Sequence, residues 1–224
     1  MSELLRPKDA ASLVLLRHSG DRTEVLLGQR HGGHAFMPNR YVFPGGSVDP
    51  SDSRVRPATP LDRQVVARLE KNCLPARARA LSVAAVRETY EETGLMLARP
   101  MPAGYETSKG KSWADFVSLG LGPALDRLDY VCRAITPPGR TRRFHARFFV
   151  AKESHLLGDI ESDGELLDIR WVPIKEAITM PIPSITGHVI KEVMSLIENP
   201  PAPNAPRTTP VYRRVYGQDT YERE

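Results

Sequence analysis

One stretch limits the fold more than any other: residues 76–95, "ARARALSVAAVRETYEETGL". Good helix formers fill it, and Gly94 stands where a glycine commonly closes a helix, so the spacing predicts a helix from about Ala76 to Thr93. On such a helix Glu88 lies three residues before Glu91 and four before Glu92, so three carboxylates share about one turn. Left unneutralised they repel by a few tenths of a kcal/mol per pair, and by more if buried. Arg87, one turn before Glu91, offsets part of that repulsion. A hard divalent cation that takes carboxylate oxygens and waters, Mg²⁺ or Mn²⁺, would offset the rest. Taken alone, paired glutamates on a helix are usually a solvated face. Their company decides between the two readings.

Upstream stands "YVFPGG", a short strand running into Gly45 and Gly46. A Gly-Gly turn lets backbone amides and carbonyls approach a metal or phosphate with no Cβ between. Around this pair the chain alternates between periodicities. "ASLVLLR" (11–17) and "EVLLGQR" (24–30) read as a hairpin about the turn-forming "HSGDRT". Thr59 and Pro60 are placed to cap and start a helix over "LDRQVVARLEKN". "LMLA", "HARFFVAK" and "DIRWVP" read as strands, "SWADFVSL" and "IKEAI" as short helices. Ser184 is placed to cap a last amphipathic helix with Ile185, Val189, Ile190, Val193, Met194 and Ile197 on its apolar face. Intermingled strands and helices predict the α/β (α+β) class with a mixed central sheet between helices. Residues 199–224, rich in proline and then polar, read as an extended tail whose three tyrosines leave open docking on a second copy in a homodimer.

A chain of 224 residues suits one sizeable domain, and 41% hydrophobic with 26% charged residues is ordinary for a globular protein. No apolar run approaches a membrane span, which excludes a helical membrane protein. Two cysteines, Cys73 and Cys132, without CxxC spacing give no disulfide framework. With no signal-peptide pattern at the start and "ERE" at the end, the expected compartment is cytoplasmic. A net charge of +4 is too mild for a nucleic-acid polymer as partner. The charge is uneven, however. Residues 51–80 carry seven bases against three acids, and residues 133–147 carry Arg133, Arg140, Arg142, Arg143 and Arg147 with no acid. Both clusters read either as solvated surface or as a field for a phosphorylated small molecule.

A glycine turn followed by a helix bearing R-E-x-x-E-E-x-G resembles the Nudix hydrolases, whose box is G-x5-E-x7-R-E-U-x-E-E-x-G-U with U bulky and apolar. Gly46, Arg87, Glu88, Glu91, Glu92, Gly94 and Leu95 match it. Thr89 occupies an apolar position. Arg87 lies 41 positions after Gly46, where the pattern spaces them by 14, so an insertion of about residues 47–80 interrupts the box. Arg79 stands where the first Glu should be, with Asp49 or Asp52 as substitutes. With "FMPNRYVFPGGSVD" and "TPPGRTRRFHARFFVA", the interruption resembles the branch that includes a peroxisomal coenzyme A diphosphatase. The Nudix-like region is then 1–198.

The resemblance implies an α/β/α sandwich and metal-dependent hydrolysis of a diphosphate in a nucleoside diphosphate derivative, with coenzyme A or its thioesters first. ADP-ribose, a dinucleotide or a nucleoside triphosphate are alternatives, as is an inactive nucleotide-binding regulatory module. It implies Glu88, Glu91, Glu92 and the Gly46 carbonyl as metal ligands, Glu88 also as a base, and Arg87 as the group that orients the glutamates. Glu165, just ahead of the last strand, is a candidate base, with Glu161 and Asp163 behind it. Arg30, Arg143 and Arg147 are candidate phosphate contacts, because a guanidinium donates two parallel hydrogen bonds to a diphosphate. His31 and His34 lack a third ligand at zinc-like spacing and read as loop residues. Met37 and Phe36 fit either a substrate mouth or a hairpin cap, and Phe148 and Trp171 read as core.

Overall fold

The computed structural model describes residues 5–33, 37–108, 110–202, 205–215 and 218–224. In chain order the strands are β1 (Lys8–Ser19), β2 (Arg22–Arg30), β3 (Tyr41–Val42), β4 (Gly45–Ser47), β5 (Met96–Pro100), β6 (Leu121–Pro123), β7 (Asp129–Ile135), β8 (Phe144–Lys152), β9 (Leu156–Leu157), β10 (Leu166–Pro173), β11 (Pro210–Val215) and β12 (Gln218–Arg223). The helices are α1 (Arg63–Leu69), α2 (Pro75–Thr93), α3 (Ala114–Ser118), α4 (Ile174–Ala177) and α5 (Ser184–Glu198).

The main sheet runs β10-β2-β1-β8-β7-β11-β12, with β3 attached to β2 and β4 to β1. β1 pairs in parallel with β8, and β7 with β11, while the other pairs are antiparallel, so the sheet is mixed as expected. β1 explains why. Its Ala11, Leu13 and Leu15 pack with Leu81, Val83 and Ala85 of α2, and its Val14 and Leu16 pack with Val189, Ile190 and Val193 of α5. A strand covered on both faces reads as an unbroken apolar run rather than an alternating one. Each fully buried leucine contributes about 2 kcal/mol. β5, β6 and β9 form a separate three-stranded sheet. Among the described residues no helix is long and apolar enough to cross a membrane, and both cysteines are free.

Several local expectations shift. The first hairpin turns on Gly20 and Asp21 alone, with Ser19 opposite Arg22 and Gly20 at φ +58°. α1 is capped by Asp62, whose carboxylate accepts from the Gln64 N–H at 2.8 Å. Thr59 instead donates to Asp126. Ser184 is the first helical residue and makes no cap, since Pro183 precedes it as the N-cap, and Ile197 at the end of α5 is exposed. The expected tail is the largest difference. β11 and β12 form a hairpin that extends the sheet beyond β7. Arg133, buried on β7, donates to both carboxylate oxygens of Glu224 at 2.7 and 2.6 Å and to Asn72 at 2.8 Å.

Beside this lock, His145 on β8 accepts from Arg133 Nη1 through its Nε2 at 3.0 Å. Burial holds its pKa down at about 4, helped by the Arg147 and Arg133 charges, opposed by Asp9 on β1 and lowered further by Arg213 on β11. A depressed histidine contributes stability that is present above its unfolded value of about 6.5 and lost as pH falls toward 4. Unfolding free energy should therefore drop by about 3 kcal/mol from this group across that window. In His145→Gln, urea titrations between pH 7 and 4 should show a flatter acid arm by about that amount.

Candidate active site

α2 presents the site, and Arg87 organises it. Its Nε and Nη2 grip Asp52 at 2.8 and 3.1 Å, Nη1 donates to Glu88 at 2.8 Å and Glu91 at 2.7 Å, and Nη2 also reaches the Ser47 carbonyl at 3.0 Å. All three guanidinium nitrogens are used. Asp52 is fully buried, in the short 3₁₀ turn Pro50–Arg54 that Asp49 caps. Burial would lower the Arg87 pKa, but the Asp52 hydrogen bond and the Glu88, Asp52 and Glu91 charges outweigh it and raise it.

Glu92 points to the glycine turn. The Gly45 N–H donates to its carboxylate at 2.8 Å, and the side chain is buried. Gly45 sits at φ +152°, and a Cβ there would meet Ser12 and the Ala11 carbonyl at 2.4–2.5 Å. A Cβ on Gly46 would come within 2.5 Å of a Glu88 carboxylate oxygen. Gly45 therefore lets the turn lie against β1, and Gly46 lets it lie against the Glu88 carboxylate of α2. Gly94 at φ +74° ends α2 as expected.

Burial pushes Glu88 up to about 7, with Arg87 opposing and Glu91 and Glu165 adding to it. Burial likewise raises Glu92 well above the carboxylate range, with the Gly45 N–H opposing and Glu88 and Glu165 adding. Glu165, in the loop before β10, is thus close enough for its charge to act on both. Glu165, Glu88, Glu91, Gly46 and Arg30 line one cavity of about 740 Å³. Among the described residues no three acidic, histidine or cysteine side chains already converge as a cation cage. Arg87 draws Glu88 and Glu91 to itself, and Gly45 draws Glu92.

The other charged candidates do not line this cavity. Arg147 is buried, donates to Asp9 and to the His145 carbonyl, and does not line the cavity. Arg143 precedes β8 and donates to the carbonyls of Thr136 and Leu5. Glu161 is tied by its N–H to the Thr93 carbonyl, and Asp163 accepts from the Glu165 N–H at 2.9 Å. His31 accepts from Gly33 N–H, and His34 and Phe36 lie outside the described residues. Met37 and Phe148 line the cavity, and Arg17 lies over the Trp171 ring at 4.7 Å. Sequence reasoning missed Tyr212 and Thr220 of the C-terminal hairpin, which also line it. The signal was present: "PVYRRVYGQDTYER" is β-prone residues about a glycine turn.

No family-level sequence profile matches the chain. It is 26% identical over 188 residues to nudix hydrolase 7 of Caenorhabditis elegans, spanning 76% of this chain and 53% of that protein. It is 31% identical over 99 residues to the acyl-coenzyme A diphosphatase NUDT19 of Xenopus laevis, 34% of this chain and 26% of that one. The chain spans about half or less of the length of these curated relatives. Its fold superposes on the crystal structure of a NUDIX hydrolase from Alicyclobacillus acidocaldarius with a TM-score of 0.65 and 28% identity, over 88% of this chain and 94% of that one.

In sequence and in fold the chain is similar to Nudix hydrolases. Two departures from the Nudix box now have physical readings. Thr89, at an apolar position, is fully buried and donates to the Ala85 carbonyl at 2.8 Å, so it packs as a small β-branched residue with its hydroxyl satisfied. Arg79 takes the place of the box's first Glu, and the acid gripping Arg87 is Asp52 from the insertion.

Asp52→Asn tests that grip. Removing one charge from a buried, hydrogen-bonded pair is expected to lower unfolding free energy by about 3 kcal/mol, read by urea denaturation at pH 7. A loss below about 1 kcal/mol would show that the insertion does not hold Arg87.

Proposed function

We propose that this Nudix protein hydrolyses a diphosphate linkage in a nucleoside diphosphate derivative, with a divalent cation, Mg²⁺ or Mn²⁺, bound by the α2 carboxylates. The observation that carries the reading is the division of labour around Arg87. Asp52 neutralises the guanidinium from the buried side, which leaves the Glu88, Glu91 and Glu165 charges facing one cavity. Phosphate oxygens would be repelled from such a wall without a cation between them. The donor set fits a hard cation, since it is all carboxylate and carbonyl oxygen, and Gly46 leaves the room a Cβ would fill beside Glu88. Glu88, Glu91, Glu92 and the Gly46 carbonyl would hold the ion, which when bound offsets phosphate charge and acidifies water.

The chain's own residues do the rest. Water adds to one phosphorus, the bridging P–O bond breaks, and two phosphomonoesters leave. Glu165, in the same cavity, is the proposed acceptor of the water proton. Arg30 lines that cavity too and suits the diphosphate oxygens. Arg87 holds Glu88 and Glu91 and does not line the cavity. Coenzyme A or an acyl-coenzyme A is the proposed substrate, on the branch resemblance and the partial likeness to the Xenopus acyl-coenzyme A diphosphatase. An inactive binding module is the less supported reading, since all four charged box positions from Arg87 to Glu92 are kept.

The test is product analysis with Mg²⁺ or Mn²⁺ on coenzyme A, acetyl-coenzyme A, ADP-ribose, NADH, a diadenosine polyphosphate and a nucleoside triphosphate. Coenzyme A should yield 3′,5′-ADP and phosphopantetheine, and Glu91→Gln should lower turnover at least about 100-fold, beyond the loss typical of an outer-shell partner. Turnover of another diphosphate alone would discard coenzyme A, and turnover of none would discard hydrolysis. Gly46→Ala should leave thermal unfolding within a few degrees of wild type, because the clash falls on the end of a flexible side chain. It should weaken Mn²⁺ binding, followed by electron paramagnetic resonance, on the order of 10-fold.

A further inference from the structure

The five arginines of residues 133–147 divide into two groups. Arg133 closes on Glu224 and Asn72, Arg143 on the Thr136 and Leu5 carbonyls, and Arg147 on Asp9. Arg140 and Arg142 do nothing of the kind. Both are exposed, neither has an ion pair or side-chain hydrogen bond among the described residues, and both line the cavity. They sit on the loop joining β7 to β8. A third guanidinium, Arg213 of the C-terminal hairpin, lines the cavity too, and its Nε is buried with no acceptor among the described residues.

The sheet sets the separation from the carboxylates. β4, which carries Gly46, pairs with β1, then come β8, β7 and β11. At roughly 4.8 Å per strand, the β7–β8 loop leaves the sheet roughly 10–14 Å from the glycine turn. That exceeds a diphosphate and falls within a nucleoside diphosphate derivative. The cavity is therefore acidic at one end and basic at the other. A phosphate reaches the acidic end only through a cation, but reaches the basic end directly.

We propose that Arg140 and Arg142 form a second anion subsite, which takes a further phosphomonoester of the substrate away from the scissile diphosphate. The assignment rests on the diphosphate-hydrolase reading and narrows it to substrates carrying an additional phosphate. Two adjacent forks suit the three oxygens of a terminal phosphate better than the single charge of a bridging one.

Calorimetric binding in EDTA isolates this subsite from the cation end. The probes are adenosine 3′,5′-bisphosphate and 5′-AMP, each titrated into the wild-type chain and into Arg140→Gln/Arg142→Gln. Wild type should bind the bisphosphate at least about 10-fold more tightly, with that advantage shrinking between 50 and 200 mM salt. The double variant should bind both probes equally, with AMP affinity and thermal unfolding unchanged, since neither side chain is tied to the fold. No preference in wild type, or a preference that survives in the double variant, overturns the subsite. Preference without turnover of any diphosphate would support the subsite and refute hydrolysis, whereas turnover without preference would do the reverse.

Discussion

The Arg87–Asp52 pair is the interaction on which the rest of the site depends. Taking two charges out of water costs several kcal/mol per ion, and the attraction between them repays that only when the remaining hydrogen-bonding capacity is met. Here it is met. The guanidinium donates to Asp52 twice, to Glu88, to Glu91 and to the Ser47 carbonyl. Those five bonds join α2 to the glycine turn and to the 3₁₀ turn just after it, both some 35–40 positions upstream. Because Asp52 balances the Arg87 charge, the arginine positions Glu88 and Glu91 without cancelling them at the cavity. Had the counter-charge come from the glutamates alone, the wall would have been closer to neutral and poorer at holding a cation.

The insertion is a strut by the same argument. Its first part supplies Asp52 to α2. Its second part reaches the opposite end of the sheet, where Arg68 of α1 donates to Asp129 and to the Tyr130 carbonyl, and Asn72 joins Arg133 and Glu224. Arg207, ahead of the C-terminal hairpin, closes on the same Asp129 at 2.8 Å. The insertion and the approach to the hairpin therefore brace β7 together, through the same Asp129 carboxylate and Tyr130 carbonyl. This matters for the cavity because the end of β7 and its following loop line it.

What was legible in the sequence follows from the range of the forces involved. α2 and its Gly94 stop, the first hairpin, β8 and β10 announce themselves through local periodicity and turn chemistry, and the structure places them within a residue or two of expectation, save that β1 starts three residues earlier, at Lys8. The Glu88–Glu91–Glu92 cluster is legible because helical spacing alone brings it together. Arg147 was not. Its partner Asp9 lies 138 positions away, and only the parallel β1–β8 register brings them together. Strand parity with Arg143 points Arg147 at the cleft, but the residues of β8 that line the cavity are Phe144, Ala146 and Phe148, so Arg147 lies on the other face with Asp9. Likewise the first helix start was assigned to Thr59, when Asp62 was nearer and the threonine was already drawn to Asp126. Local preference picks a good capping residue, and tertiary demand decides which of two is free to act.

The C-terminal hairpin shows the same limit in another form. Proline density around residues 200–210 reads as an extended chain, yet composition cannot say where such a chain docks. It docks where β7 would otherwise end the sheet with unpaired backbone groups, a position that edge strands rarely leave open. The parallel pairing of Val211, Tyr212 and Arg213 with Arg133, Ala134 and Ile135 satisfies that edge. It also stacks Tyr212 on His188 of α5 at 4.9 Å. That stack joins the hairpin to α5 at the wall they share, so the strand that removes an edge also lengthens the cavity. Glu88 and Glu91 of α2 line the cavity, and residues of the hairpin, α5 and the β7–β8 loop line it too, so these elements together set its length and charge.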